Sequence, residues 1–369
     1  MRRLLPLLCG LLLAACGQRA ARPIGDFTLP VYTPRYASGF EITGAAGSRS
    51  TLVTVHNPWY GDEVTDQYLF IARDGEPAPA GFEGQVLRDE ARRVVCMSGS
   101  YIAMLDALGA ADLINETLRR RIARGEAADV GFDSNVDFER LMALRPDLVM
   151  LFGIGGADTA LTGKLRELGI PYLYMGEHCE ESPLGKSEWV VVAAEIAGLR
   201  TEGSRLFAAI PERYERLRAL AQQTAARPRV MLNTPYRDTW FMPARNSYMV
   251  RLLEDAGARY VFEENTATQT LPIDIEQAYY LTSKSDFWLN VSGCNTLDEV
   301  RRQNPRLADT PPVREGRVYD NNRRRNAAGG SDFWESGVLR PDRVLADLVH
   351  IFHPELSETD ELYYYRQLE

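Results

Sequence analysis

Arg323-Arg324-Arg325 is the densest group of chemistry-bearing side chains in the chain, and Tyr319, Phe333 and Trp334 flank it. Guanidinium groups offer fork-shaped donors that match carboxylates and catecholates, and they stack on aromatic rings. In a loop from Asn321 to Gly330 after an expected strand, the run suits recognition of an anion. The alternative is a solvated charge run. Tyr101, Phe132, Tyr236, Trp240 and Phe241 fall in loops or just past expected strand ends, where they line an aromatic cleft or simply pack. Arg323, Arg324, Arg325, Trp240, Phe132, Tyr101 and Trp334 are therefore the candidate ligand-binding residues.

Arrangements for covalent chemistry fail one by one. Gly185-Lys186-Ser187 looks like the end of a phosphate-binding loop, but the glycine expected five positions earlier is Glu180. Gly153-x-Gly155 lacks the third glycine of a dinucleotide fingerprint, because that position is Asp158. The pair reads instead as a tight strand-to-helix turn at a cleft rim. His350-x-x-His353 places two imidazoles on one helix face, but Pro354 ends the helix there, where imidazolium favours the negative end of the dipole. No Gly-x-Ser-x-Gly elbow surrounds Ser98, Ser100 or Ser292. We expect no enzyme, no cofactor and no resident metal.

The positioning elements follow from pattern. The 369 residues carry a net charge of -9, which argues against a nucleic-acid partner. Hydrophobic content of 45% and charged content of 25% suit a globular body of two domains. The chain opens with Arg2-Arg3 and an apolar run from Leu4 to Ala15, too short for a span of roughly 20 residues and fitting a secretory signal. Leu13-Ala14-Ala15-Cys16 resembles a lipobox, which implies cleavage and lipidation at Cys16. Of five cysteines, Cys96, Cys179 and Cys294 remain in the body, an odd number that leaves at least one unpaired.

From Arg22 to Arg92 short β-like segments alternate with Pro and Gly, as in a small antiparallel meander packed on the next domain and too short for its own core. From Arg93 strands alternate with helices: Val94 to Met97, Asp147 to Phe152 and Pro171 to Met175, then Arg229 to Leu232, Phe287 to Val291 and Val318-Tyr319. This is α/β grammar for parallel sheets covered on both faces. Between the two series, Lys186 to Gln223 reads as nearly continuous helix with breaks at Gly198 and Pro211. The expected organisation is signal peptide 1–15, anchor and β-rich extension 16–92, an N-terminal lobe 93–200, a connecting helix 201–227 and a C-terminal lobe 228–369, with a binding cleft between the lobes.

Three stretches resemble a known family: Arg93 to Ser98 leading to Ala107-Leu108-Gly109; Val130-Gly131-Phe132 through Phe138-Glu139 to Arg145-Pro146-Asp147-Leu148-Val149; and Leu165 to Pro171. They look like the solute-binding proteins of iron-siderophore and cobalamin ABC importers, two Rossmann-like lobes joined by a long helix. The resemblance implies a monomer in the periplasm or cell envelope, held at a membrane by its lipid, that captures a metal chelate and passes it to an ABC permease/ATPase complex. It implies docking through one exposed Glu per lobe, Glu139 and Glu276. Cobalamin binders often carry a Trp just before the second helix, where this chain has Thr268-Gln269-Thr270-Leu271. The arginine run therefore points to a ferric siderophore-type complex, with cobalamin as the alternative cargo and a receptor or scaffold without an ABC partner as the alternative role.

Overall fold

The structure is a computed structural model that describes residues 21–60, 65–109, 136–153, 159–236, 239–267, 269–292, 294–326, 329–357 and 361–369. Cys16 and Phe132, with the stretch 130–135, lie outside these residues. Two largely parallel sheets are separated in sequence by a long helix. The first has the order β6 (Val94–Cys96), β7 (Leu148–Phe152), β8 (Tyr172–Met175). The second has the order β11 (Arg259–Tyr260), β9 (Arg229–Leu232), β13 (Phe287–Leu289), β14 (Val318–Asp320), β15 (Arg366–Gln367), parallel except for β15.

Burial explains why these strands read as unbroken apolar runs. Along β7, Leu148 and Met150 join one core while Val149 and Leu151 join another on the opposite face. Side chains alternate across a strand, so a strand covered on both faces needs apolar residues at every position. Helices supply that cover, among them α1 (Gly99–Ala107), α2 (Phe138–Leu144) and α3 (Ala160–Leu168), whose αL cap is Gly169 as the sequence suggests.

The helical stretch after β8 breaks once where expected and once not. Helices α4 (Pro183–Glu188) and α5 (Val190–Ile196) precede Gly198 at φ 71°, and α6 then runs from Arg200 to Ala221 through Pro211. Pro211 costs one backbone hydrogen bond, but Phe207, Ile210, Pro211 and Tyr214 are buried along one face of the helix. Packing outweighs the local defect. The helix rests on α5 on one side and on α12 (Pro341–Phe352) on the other, so it touches both halves of the chain.

The N-terminal extension differs from expectation. Its five strands, β1 (Leu29–Tyr32), β2 (Phe40–Gly44), β3 (Thr51–His56), β4 (Asp66–Ala72) and β5 (Gln85–Arg88), pair antiparallel except for a parallel β4–β5 contact. One face carries its own small cluster of Phe27, Ala45, Leu52, Phe70 and Ala72. The other face gives Ile42, Val53, Val55, Leu69 and Ile71 to the main core.

Three buried glutamates fasten this sheet to the body. Glu188 accepts from the Tyr32 hydroxyl at 2.8 Å and from the backbone N–H groups of Arg35, Tyr36 and Ala37 at 2.8, 2.7 and 2.7 Å. Glu180 accepts from the N–H groups of Ser38 and Gly39 and from the Trp189 indole at 3.0, 2.9 and 3.0 Å. Glu195 accepts from Thr51 Oγ1 at 2.6 Å and pairs with Arg73 at 2.9 Å and Arg200 at 2.6 Å. A buried carboxylate is tolerated only when its oxygens are satisfied, and here the satisfying donors come largely from the extension.

Candidate functional site

In open α/β sheets ligands gather at the carboxyl ends of the strands, and here those ends belong to two sheets. Strand β6 leads into Ser98, the N-cap of α1, which accepts from Ser100 N. Strand β7 ends at Gly153, and β8 runs into Gly176-Glu177-His178-Cys179. In the second half, β9 leads to Asn233 and the Tyr236–Thr239 bridge, and β14 leads to the arginine loop.

The junction of the two halves contains the residues dismissed as a failed phosphate loop. Lys186 Nζ donates to the backbone oxygen of Glu177 at 3.0 Å and lies 4.5 Å from the ring centroid of Tyr248, which starts α7 (Tyr248–Asp255) in the second half. Glu177 Oε1 accepts from Ser100 Oγ at 2.9 Å. Burial raises the Glu177 carboxyl and lowers the Lys186 ammonium, and the charge of each partly offsets the shift of the other. Nearby, Glu181 reaches across to Arg251 at 2.8 Å and to Asn246. A groove of about 750 Å³ runs past Pro183, Tyr214 and Asn265. Among its charges Arg218 pairs with Asp255 and Arg245 with Glu254.

His178 lies just past the carboxyl end of β8. Its ring lies 4.3 Å from Phe152, its Nε2–H donates to the Gly153 carbonyl at 3.2 Å, and the Tyr60 hydroxyl donates to its backbone oxygen at 2.7 Å. Burial, followed by the Lys186 charge, lowers the imidazole to about 4. The sign is clear: a depressed folded value contributes stability that is present above about 6.5 and is lost as pH falls through 6.5 toward 4. Asp320, raised to about 6 by burial, acts oppositely, its contribution present below 3.8 and lost as pH rises through 6. Other carboxyls are shifted in both directions, Glu177 and Asp347 upward and Glu76 and Asp342 downward, so the wild-type profile sums several groups. The difference between wild type and His178→Gln isolates the imidazole: the advantage of the wild type at pH 7 is expected to shrink by roughly 3 kcal/mol at pH 4, as read by urea unfolding. A pH-independent difference would refute the assignment.

The residues singled out from sequence do not all meet. Arg323, Arg324 and Arg325 are exposed at the carboxyl end of β14. Arg324 is engaged, bonding Asp332 at 3.1 Å and stacking 4.4 Å over Tyr363. Among the described residues, Arg323 pairs with Glu361 at 3.7 Å and Arg325 donates to the amide oxygen of Asn295 at 3.3 Å. Trp334 is 48% exposed beside Phe333. Tyr101 and Trp240, by contrast, are core residues, which corrects their expected place in the cleft. Tyr101 is fully buried and donates to Leu151 O at 3.3 Å, while Trp240 stacks 5.6 Å from Trp288 and donates to Leu232 O at 2.9 Å. An aromatic donor turned inward finds a strand carbonyl there and offers no face to a ligand. The histidine pair also separates, His350 bonding Ser357 Oγ at 2.8 Å and His353 the Gly257 carbonyl at 3.3 Å. Sequence reasoning missed Tyr60, His178, Glu177 and Lys186. The one available signal was Trp59-Tyr60 between Pro58 and Gly61, an aromatic pair in a turn-rich loop.

Glu139 and Glu276 occupy equivalent places. Asp137 caps α2 by accepting from Arg140 N at 3.0 Å, and Asp274 caps α8 (Ile275–Ser283) by accepting from Gln277 N at 2.8 Å. Each glutamate is the second helical residue, exposed in the first turn. Each helix then feeds the middle strand of its parallel sheet through an aspartate that holds the neighbouring strand's start: Asp147 accepts from Arg92 and Arg93 N at 2.8 Å, Asp286 from Arg229 N at 2.7 Å. Glu276 also pairs with Arg306 at 3.0 Å on the open surface, a contact worth about 1 kcal/mol or less.

Residues 94–323 match a family model described as periplasmic binding protein. A relative described as an uncharacterized lipoprotein of Methanocaldococcus jannaschii is 24% identical over 332 residues, covering 81% of this chain and 77% of its own length. Among solved structures, a periplasmic heme binding protein from Pseudomonas aeruginosa matches with a TM-score of 0.58 and 20% identity over 76% of this chain and 98% of that one. The apo form of a periplasmic heme-binding protein from Roseiflexus sp. RS-1 matches with a TM-score of 0.56 and 20% identity over 72% and 98%. These similarities account for the two-lobed fold.

Proposed function

Because the chain belongs to the periplasmic binding protein family, we propose that it captures an anionic metal chelate between its lobes and delivers it to a membrane importer. The observation that carries delivery is the equivalence of Glu139 and Glu276: one exposed carboxylate per lobe, each at the second position of an Asp-capped helix that feeds a middle strand. Two such carboxylates suit a membrane partner that presents basic side chains in duplicate. Cys16 is read as the lipid-bearing residue, in keeping with the relatives described as lipoproteins. A tether at the partner's membrane raises the effective concentration of the binding protein there.

The cargo reading rests on Arg323 and Arg325. Among the described residues Arg323 pairs with the exposed Glu361 and Arg325 bonds a neutral amide, so both guanidinium groups suit an acidic ligand. Ferric siderophores with carboxylate or catecholate groups fit that chemistry, and so does haem, which the similar solved proteins are described as binding. Calorimetric titration of the full chain with haemin, a ferric tris-catecholate and cyanocobalamin tests this. At least one of the two anionic chelates is expected to bind, cyanocobalamin is not, and the double substitution Arg323→Gln with Arg325→Gln is expected to weaken binding about tenfold. Binding of none of the three, or binding indifferent to both arginines, would remove the cargo assignment.

A further inference from the structure

The extension reaches the strand ends where the ligand is expected. Between β3 and β4 the chain leaves the sheet at Asn57, whose N–H donates to Thr65 O at 2.8 Å and whose side-chain oxygen accepts from Thr65 N at 2.9 Å. The segment that follows, Pro58-Trp59-Tyr60, lies directly on the carboxyl ends of β7 and β8. A Cβ at Gly153 would stand 2.5 Å from the Pro58 carbonyl oxygen, and one at Gly176 would stand 3.4 Å from Pro58 Cα. Gly153 is therefore required by this backbone contact as well as by the turn it begins.

Two aromatic residues follow, with different fates. Trp59 packs edge-on against Tyr174 at 5.3 Å and is half-buried. Tyr60 is tied at its hydroxyl to the His178 carbonyl, meets the His178 ring edge-on at 6.0 Å, and still leaves 64% of its surface open. Tyr248 of the second half is near enough for the two phenols to interact electrostatically. A large ring held at one end and open on its flank is preorganised for stacking: its position is set before any ligand arrives, so little entropy is lost on binding.

Building on the chelate-binding reading above, we infer that the extension supplies a wall of the ligand cleft, with Tyr60, backed by His178 and Phe152, as a stacking residue for the flat conjugated part of the cargo. The extension thus does more than cover the first lobe. Its anchoring by Glu180, Glu188 and Glu195 holds a ligand contact in place.

The test uses the full chain and the same three probes, haemin, a ferric tris-catecholate and cyanocobalamin. For whichever probe the wild type binds, Tyr60→Ala and Tyr60→Leu are expected to weaken binding about tenfold, while Tyr60→Phe stays within about twofold. Thermal unfolding of each variant checks that the fold is kept, and Tyr60→Leu retains bulk if the alanine variant unfolds. Unchanged binding in all three variants overturns the inference and leaves the chelate reading standing. Unchanged binding with lost uptake overturns it too, and makes Tyr60 a contact for the membrane partner. An equal loss in Tyr60→Phe and Tyr60→Ala also overturns it, because the hydroxyl bond to His178 would then be what matters. If the wild type binds none of the probes, both readings fall.

Discussion

Glu195→Ala is expected to lower the folding stability by about 3–5 kcal/mol, the cost of breaking a buried ion pair and leaving the other charge behind. Glu195 has no solvent-exposed surface and meets Arg73, Arg200 and Thr51 together. Arg73 is itself buried, with its remaining contacts to Glu90, to Thr51 Oγ1 and to the backbone oxygens of Arg49 and Glu195. Without the Glu195 carboxylate, its charged partner among the described residues would be the part-exposed Glu90. Lys164→Ala is the control, since Lys164 pairs with Glu167 on an exposed helix face and should shift stability by less than about 0.5 kcal/mol. Urea unfolding of the three proteins reads the difference. A loss below about 1 kcal/mol for Glu195→Ala would mean that this carboxylate does not fasten the extension.

Glu139→Ala combined with Glu276→Ala should reduce chelate uptake by whole cells about thirtyfold or more while leaving chelate binding within about twofold. Truncating one side of a desolvated interfacial charge pair costs 2–5 kcal/mol, and about 2 kcal/mol is already a factor near thirty. Both side chains stand free of the strand ends where the ligand contacts are proposed, so binding and docking separate in this variant. Arg306 provides a further check. It pairs with Glu276 in the isolated protein, and a basic partner would have to displace it, so Arg306→Ala is expected to leave uptake intact or improve it. Full uptake by the double variant would leave the chain a receptor or scaffold that works without such a partner.

Much of the frame was legible from local pattern. The unbroken apolar runs at Leu148 to Phe152 and Val230 to Leu232 became parallel strands because only strands covered on both faces tolerate them. Gly169 and Pro341 mark helix ends through backbone conformation alone. Pro211 was misread because its local cost is visible in sequence while the packing that overrides it is not. Tyr101 and Trp240 failed for a related reason. An aromatic residue just past a strand faces either core or cleft with equal ease, and the deciding partners, Leu151 O for one and Trp288 for the other, lie some fifty residues away.

The amino-acid sequence by itself determined the two α/β halves, the long helix between them, the exposed glutamates behind their aspartate caps and the arginine loop after β14. Each depends on interactions within a few residues: periodicity, capping and turn chemistry. Only the tertiary structure decided that Glu180, Glu188 and Glu195 clamp a sheet whose donors precede them by more than 120 residues, with separations of 142 and 156 in two of the bonds. It likewise decided that Lys186 and Glu177 lie buried at the lobe junction and that Tyr60 stands on His178 past the end of β8. A buried carboxylate or ammonium is stable only beside its partner, and the chain order does not say which distant residue that partner will be.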